Sequence, residues 1–168
     1  MSVLERHTKT VAIVGAGASG TLTAINLLRM ATSSSLDIRL IDPRTQTGRG
    51  IAYSTTDLRH RLNVPAAKMS ALVEEPDHFL KWLHASEKEA APGDFVPRAW
   101  YGDYLEATLA QAIEVSPAHF RRINEQVEEL SDRSGSMSVR LSGGSRFRAD
   151  WVVLAMGSPR SDRTWGAG

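Results

Sequence analysis

The sequence predicts an α/β fold built on a central parallel sheet, and three observations predict it. A short apolar run rich in Val and Ile, Thr10 to Val14, stops at a glycine string, GAGASG over Gly15 to Gly20. That string opens a stretch with apolar residues at helical spacing. A second apolar run, DIRLID over Asp37 to Asp42, then ends in an acid. Strand, glycine turn, helix and strand within about 33 residues make a βαβ unit of the length that motif needs. The predicted architecture is Rossmann-like: a parallel sheet with helices and, further along, a small β-meander.

The run Thr10 to Val14 lacks the alternation of a half-exposed strand and reads as buried on both faces. From Ala18 to about Met30, Leu22, Ala24, Ile25 and Leu28 recur at three-and-four spacing, which predicts a helix ended by the serines Ser33 to Ser35. Pro43 closes the second strand, since it cannot donate to a sheet ladder. A polar, glycine-bearing stretch from Pro43 to about Glu75 contains GRGIAYS and RLNVPA. It is too long for an idle connection and is predicted to bind something.

Pro76 suits a first helical position, and Phe79, Leu80, Trp82 and Leu83 supply the apolar face of a short helix. A longer helix from about Arg98 to Glu114 carries the stripe Tyr101, Leu105, Thr108, Leu109 and Ala112, with Pro117 marking its end. The period then changes. Val127 to Leu130, Met137 to Leu141 and Ser145 to Phe147 are short runs between turn clusters, a β-meander. Trp151 to Ala155 is a last apolar strand stopped by Met156 and Gly157, and the tail SDRTWGAG reads as unstructured.

The bulk numbers agree with a single domain over 1–168. A chain of 168 residues can bury one core, and 42% hydrophobic with 23% charged residues is ordinary for a globular protein. Twenty Lys and Arg against nineteen Asp and Glu give +1 without a basic run, so no nucleic-acid partner is expected. The absence of cysteine excludes disulfides, thiolate metal ligands and a cysteine nucleophile, leaving redox chemistry to a cofactor. The polar start MSVLERHTKT offers neither a secretory signal nor a membrane span, so a cytoplasmic protein with no membrane partner is expected. The five histidines show no metal-ligand spacing, so no metal is predicted, and Ser19 is not in a GxSxG elbow.

Each glycine of the string has a separate task. Gly15 permits the tight turn, Gly17 removes the Cβ that would block a diphosphate, and Gly20 lets the helix pack on the strand. The free amides from Ala18 and Ser19 to Thr21, at the positive end of the helix dipole, then face the diphosphate without any lysine. Asp42 lies 22 residues beyond Gly20, placed to accept hydrogen bonds from the ribose hydroxyls of NAD or FAD. Arg44 beside it could meet a 2′-phosphate, which keeps NADP open.

The segments GAGASG, IDPRTQTGRGIAYS, RLNVPAAKMSAL, EEPDHFLKWL, FVPRAWYGDYLEATL and VVLAMG occur in this order over almost the whole chain. On these the chain resembles the FAD-NAD(P)-binding domain family of flavoproteins, relatives of the N-hydroxylating monooxygenases and the pyridine-nucleotide oxidoreductases. The resemblance implies FAD as cofactor, its adenosine half on Gly15, Gly17, Gly20 and Asp42, and adenine held by backbone near Val127. It implies NAD(P)H as reductant and, at Ala155 to Gly157, a strand end where the family carries Ala-Thr-Gly. Here Met156 replaces the threonine, which removes a hydroxyl and keeps the close approach of Gly157.

The residues themselves point the same way. A meander before the last strand is not part of a simple NAD domain, which would bring a second βαβ half. In the long loop, Gly48 and Gly50 allow backbone approach, Arg49 suits a phosphate, and Asn63 could bond flavin edges. Arg98 could reach the isoalloxazine side. The expectation is an FAD-binding domain of a flavin-dependent oxidoreductase or monooxygenase, with catalytic residues and substrate unidentified. No second GxGxxG occurs, and no later Gly-Asp motif, so a second domain or chain is expected to complete the flavin site. The alternatives are a non-catalytic module that binds NAD or FAD, and a truncated fragment.

Overall fold

A computed structural model of the chain describes residues 8–132 and 135–157. The tail SDRTWGAG lies outside the described residues. Strand β1 (Lys9–Val14) leads through the glycine turn into helix α1 (Ala18–Met30) and returns as β2 (Leu36–Ile41). The long loop is locally ordered: a one-turn helix α2 (Gly50–Tyr53) and a 3-10 turn over Ala66–Lys68 sit within it. Helices α3 (His78–Ala85) and α4 (Arg98–Val115) follow, then β3 (His119–Ile123). The meander is β4 (Val127–Asp132), β5 (Met137–Leu141) and β6 (Arg146–Ala149), and the chain closes its sheet with β7 (Trp151–Leu154).

Four parallel strands make the main sheet in the order β3-β2-β1-β7, and β4-β5-β6 make a separate antiparallel sheet. Strand alternation divides the core between the two faces. Val11 and Ile13 of β1 and Ile38 and Leu40 of β2 point to the helices, packing with Ile25, Leu28, Tyr104, Leu105 and Leu109. Ala12 and Ile41 point the other way and pack with Val139, Leu141 and Ala149 of the meander. The sheet is therefore covered by helices on one side and a second sheet on the other, which is why β1 reads as uniformly apolar.

Strand β3 is absent from the sequence prediction, which passes from the long helix to the meander. Its residues HFRRI are mostly exposed or half-buried, because β3 is the edge of the sheet and covered incompletely. A strand with three basic side chains among five residues gives no apolar run to detect. Its Arg122 is nonetheless structural: the guanidinium donates to the carbonyls of Leu40, Ile123, Asp42 and Arg44, fastening the end of β2. At the opposite end of the sheet, Asp150 accepts from Lys9 Nζ and the Thr10 amide, setting the start of β1 against β7.

The strand order creates a crevice. From β1 the chain builds outward through β2 and β3 on one side, and β7 arrives on the other. In open α/β sheets a ligand binds beyond the carboxyl ends of the strands where the order reverses. Here that place lies between the glycine turn after β1 and Ala155 after β7.

Candidate functional site

Two glycines of the turn are demanded by the protein itself. Gly15 has φ +104°, and a Cβ on it would lie 2.3 Å from the Ala155 carbonyl oxygen. A Cβ on Gly20 would lie 1.9 Å from the Gly15 carbonyl oxygen. These contacts clamp the ends of β1 and β7 and the first turn of α1 together. Gly17 is different: its φ of −69° suits any residue, and a Cβ there would meet nothing nearer than the Gly50 Cα at 3.5 Å. Nothing among the described residues requires glycine at 17 for packing, and the space above it is open.

The start of α1 is open. Gly17 caps it without a side-chain hydrogen bond, and no acidic residue occupies the first turn. The first-turn amides of an α-helix have no intrahelical acceptor, and with the helix dipole they present partial positive charge. The amides of Ala18, Ser19 and Gly20 can therefore take an anion. Anion binding by such a terminus needs no side-chain charge.

Beneath the turn, Asp42 Oδ2 accepts from the Ala16 amide at 2.9 Å, while Oδ1 accepts from the Arg44 amide at 3.0 Å. The Arg44 guanidinium adds two further bonds, at 2.9 Å to Oδ1 and 2.7 Å to Oδ2. Burial of Asp42 works to raise its pKa. The Arg44 side chain, the Ala16 and Arg44 amides and the Arg44 charge outweigh that and hold the carboxyl down to about 2. The carboxylate expected to meet a ribose thus also braces the glycine turn, and Arg44 stands over it.

The GRG segment is pinned onto the same turn. The Gly48 amide donates to the Ala16 carbonyl at 3.0 Å and to the Thr21 hydroxyl at 2.9 Å, and that hydroxyl donates to the Ala16 carbonyl. Thr21 is fully buried. Arg49 Nη2 donates to Asp103 of α4 at 2.6 Å, with Glu106 at 3.5 Å, and Gly102 leaves room for its head, since a Cβ there would lie 3.1 Å from Nη1. Gly50, at φ +52°, then faces Gly17.

Together these elements wall a cleft of about 760 Å³, within the ~300–1,000 Å³ of small-molecule sites. Of the residues expected at the site, Gly17, Ala18, Ser19, Arg44, Arg49, Gly50, Ala155 and Gly157 line it, joined by Arg98 and Met156. Gly15, Gly20 and Asp42 sit behind the wall as its supports. Asn63 is exposed on the loop outside the lining, and Val127 starts β4 and packs with the meander core. Ile51 and Ala52 line the cleft without having been expected, and Thr21 is a further support. The signal for Ile51 and Ala52 was an apolar pair inside a polar loop. For Thr21 it was a polar residue on the buried stripe of α1.

The sequence matches the FAD-NAD(P)-binding family over residues 12–159. The chain belongs to the FAD-NAD(P)-binding family. Solved structures of similar fold include a flavin-containing monooxygenase from Stenotrophomonas maltophilia, with 21% identity and a TM-score of 0.59 over 88% of this chain. A cyclohexanone monooxygenase mutant from Rhodococcus sp. Phi1, bound to NADP+, gives 18% identity and a TM-score of 0.63 over 89% of it. OTEMO, in complex with FAD and NADP, gives 19% and 0.62 over 94%. The chain spans only 38%, 26% and 27% of those proteins respectively. Comparison with curated proteins finds no match. For a member of this family, the open start of α1 and the clear space over Gly17 fit a dinucleotide diphosphate. Among the described residues no helix is long and apolar enough to cross a membrane, and no cluster of His, Asp or Glu could hold a metal ion.

Proposed function

We propose that this chain is the FAD-binding part of a flavin-dependent oxidoreductase reduced by NAD(P)H. The observation that carries the reading is Gly17: a glycine with ordinary dihedrals and free space, at the mouth of a helix with no cap, on the switch point of the sheet. A dinucleotide diphosphate uses all three. The meander between β3 and β7 supports flavin over a simple nicotinamide domain, because it stands where a second βαβ half would lie.

When bound, the flavin supplies the hydride or oxygen chemistry, and the protein supplies binding, orientation and field. The residues of the chain divide that work. Ala18 and Ser19 amides hold the diphosphate. Asp42, once Arg44 swings aside, accepts from the ribose hydroxyls. Gly50 and Gly157 bring backbone close to the cofactor from opposite walls, and Ile51, Ala52 and Met156 shed water from it. Among the described residues, the cleft wall carries backbone amides, arginines and small apolar side chains, groups that bind and orient a cofactor.

The relatives extend well beyond the length of this chain, and a further domain or chain would complete the site and bring the nicotinamide. The test is the absorbance spectrum of purified protein reconstituted with FAD. Bound flavin, held about tenfold or more weakly in Gly17→Ala, supports the reading. Protein that takes up NAD but no FAD in a calorimetric titration overturns it.

A further inference from the structure

The cleft continues past Ile51, Ala52 and Arg98 into a second hollow of about 500 Å³, whose wall adds Thr55, Arg59, His60 and Arg61. Among the described residues, no carboxylate lines either hollow, while together they present five arginines: Arg44, Arg49, Arg59, Arg61 and Arg98. Three are paired with acids: Arg44 on Asp42, Arg49 on Asp103 and Glu106, and Arg59 on Asp57. Arg61 and Arg98 are held in another way. Arg61 Nη1 donates to the Phe95 carbonyl at 2.9 Å, and Arg98 Nε to the Arg61 carbonyl at 2.9 Å.

A main-chain carbonyl orients a guanidinium without cancelling its charge, and each head keeps most of its N–H donors for another acceptor. The two heads are brought together by the fold. Arg61 bridges to Pro97, and the Arg98 amide donates to the His60 carbonyl at 2.8 Å, so residues far apart in sequence share one wall. The diphosphate cradle at Gly17, Ala18 and Ser19 belongs to the larger hollow alone and leaves Arg61 unused. A concave wall that, among the described residues, holds no carboxylate and has two oriented guanidinium groups that no acid pairs matches an oxyanion, for which the arginine fork is suited.

We propose that this second hollow is an oxyanion subsite, taking the carboxylate or phosphate of the reactant that meets the cofactor. The assignment to that reactant rests on a dinucleotide occupying the larger hollow, whereas the anion binding itself does not. The reactant class is thus an organic acid or a phosphate ester, with its charged end on Arg61 and Arg98 and its remainder directed past Ile51 and Ala52 into the main cleft.

Calorimetric titration of the full chain, with and without FAD, uses benzoate, phenyl phosphate and the uncharged benzamide. At least one anion should bind tenfold or more tighter than benzamide, and the tighter of the two identifies the group. Arg61→Gln should cost that anion about tenfold or more, Arg61→Lys should restore part, and FAD uptake should be unchanged in both. Raising salt should weaken the anions and not benzamide, a readout that needs no variant. Equal binding of anions and benzamide, or anion affinity indifferent to both Arg61 and salt, overturns the subsite. Protein that refuses FAD yet discriminates the anions defeats the flavin reading and leaves the subsite standing. Yellow protein without discrimination does the reverse.

Discussion

The buried carboxylate of Asp42 accepts a hydrogen bond from the Ala16 amide at 2.9 Å, so the acid after β2 braces the glycine turn after β1. Removing the charge should therefore weaken the fold as well as the site. Asp42→Asn leaves the Arg44 head without its ion pair and is expected to cost about 1–3 kcal/mol, read as a lower urea midpoint at unchanged slope.

The same carboxyl sets a pH dependence. Its folded pKa, about 2, lies below the ordinary 3.8, so its contribution is fully present above about pH 4. It is lost as pH falls through about 2. Stability of the native chain should drop across that acid window more steeply than that of Asp42→Asn, in urea titrations repeated at each pH. Parallel curves would assign the acid sensitivity to other groups.

Gly17 should separate from its neighbours. Gly17→Ala is expected to shift stability by within about 1 kcal/mol, because its Cβ meets only ordinary contact at 3.5 Å, while FAD affinity falls about tenfold or more. Gly15→Ala and Gly20→Ala would press a Cβ to 2.3 Å and 1.9 Å from carbonyl oxygens and should cost about 2–4 kcal/mol. Melting curves without ligand distinguish the two groups.

Thr21→Val keeps the shape of the side chain but removes the hydroxyl that joins the Gly48 amide to the Ala16 carbonyl. A loss of about 1–3 kcal/mol is expected for an unsatisfied buried amide, softened by the second bond from Gly48 to Ala16. Faster hydrogen exchange at Gly48 would locate the effect in the loop over the cleft.

Arg122→Met strips the carbonyls of Leu40, Asp42 and Arg44 of a shared donor. It also removes a positive charge that favours the ionised form of Asp42. The expected outcome is destabilisation by about 1–3 kcal/mol with an upward move of the Asp42 pKa, followed by carboxyl NMR titration. An unmoved pKa would confine Arg122 to holding the backbone.

What could be read in the sequence was what is local. Strand, turn and helix from Lys9 to Met30, the acid after β2 and the amphipathic stripe of α4 depend on residues a few positions apart, and their periods and glycines announce them. Most of the cleft lining was readable for the same reason, since Gly17 to Ser19, Arg49, Gly50 and the Ala155 to Gly157 strand end lie in recognisable short segments.

Other features were hidden by their dependence on partners distant in the chain. Edge strand β3 carries His119, Arg121 and Arg122 and becomes a strand only by pairing with β2. Nothing in its own five residues marks it.

The sequence by itself determined the βαβ core, the glycine turn and the dinucleotide class, because glycine conformation and apolar period are properties of adjacent residues. Only the tertiary structure decided which glycine of the turn has open space above it, that Asp42 braces the turn beneath Arg44, and that Arg61 and Arg98 share one wall that, among the described residues, holds no acid. Those outcomes turn on which carbonyl, carboxylate or Cβ lies within a few ångströms, and packing, not sequence spacing, brings such groups together.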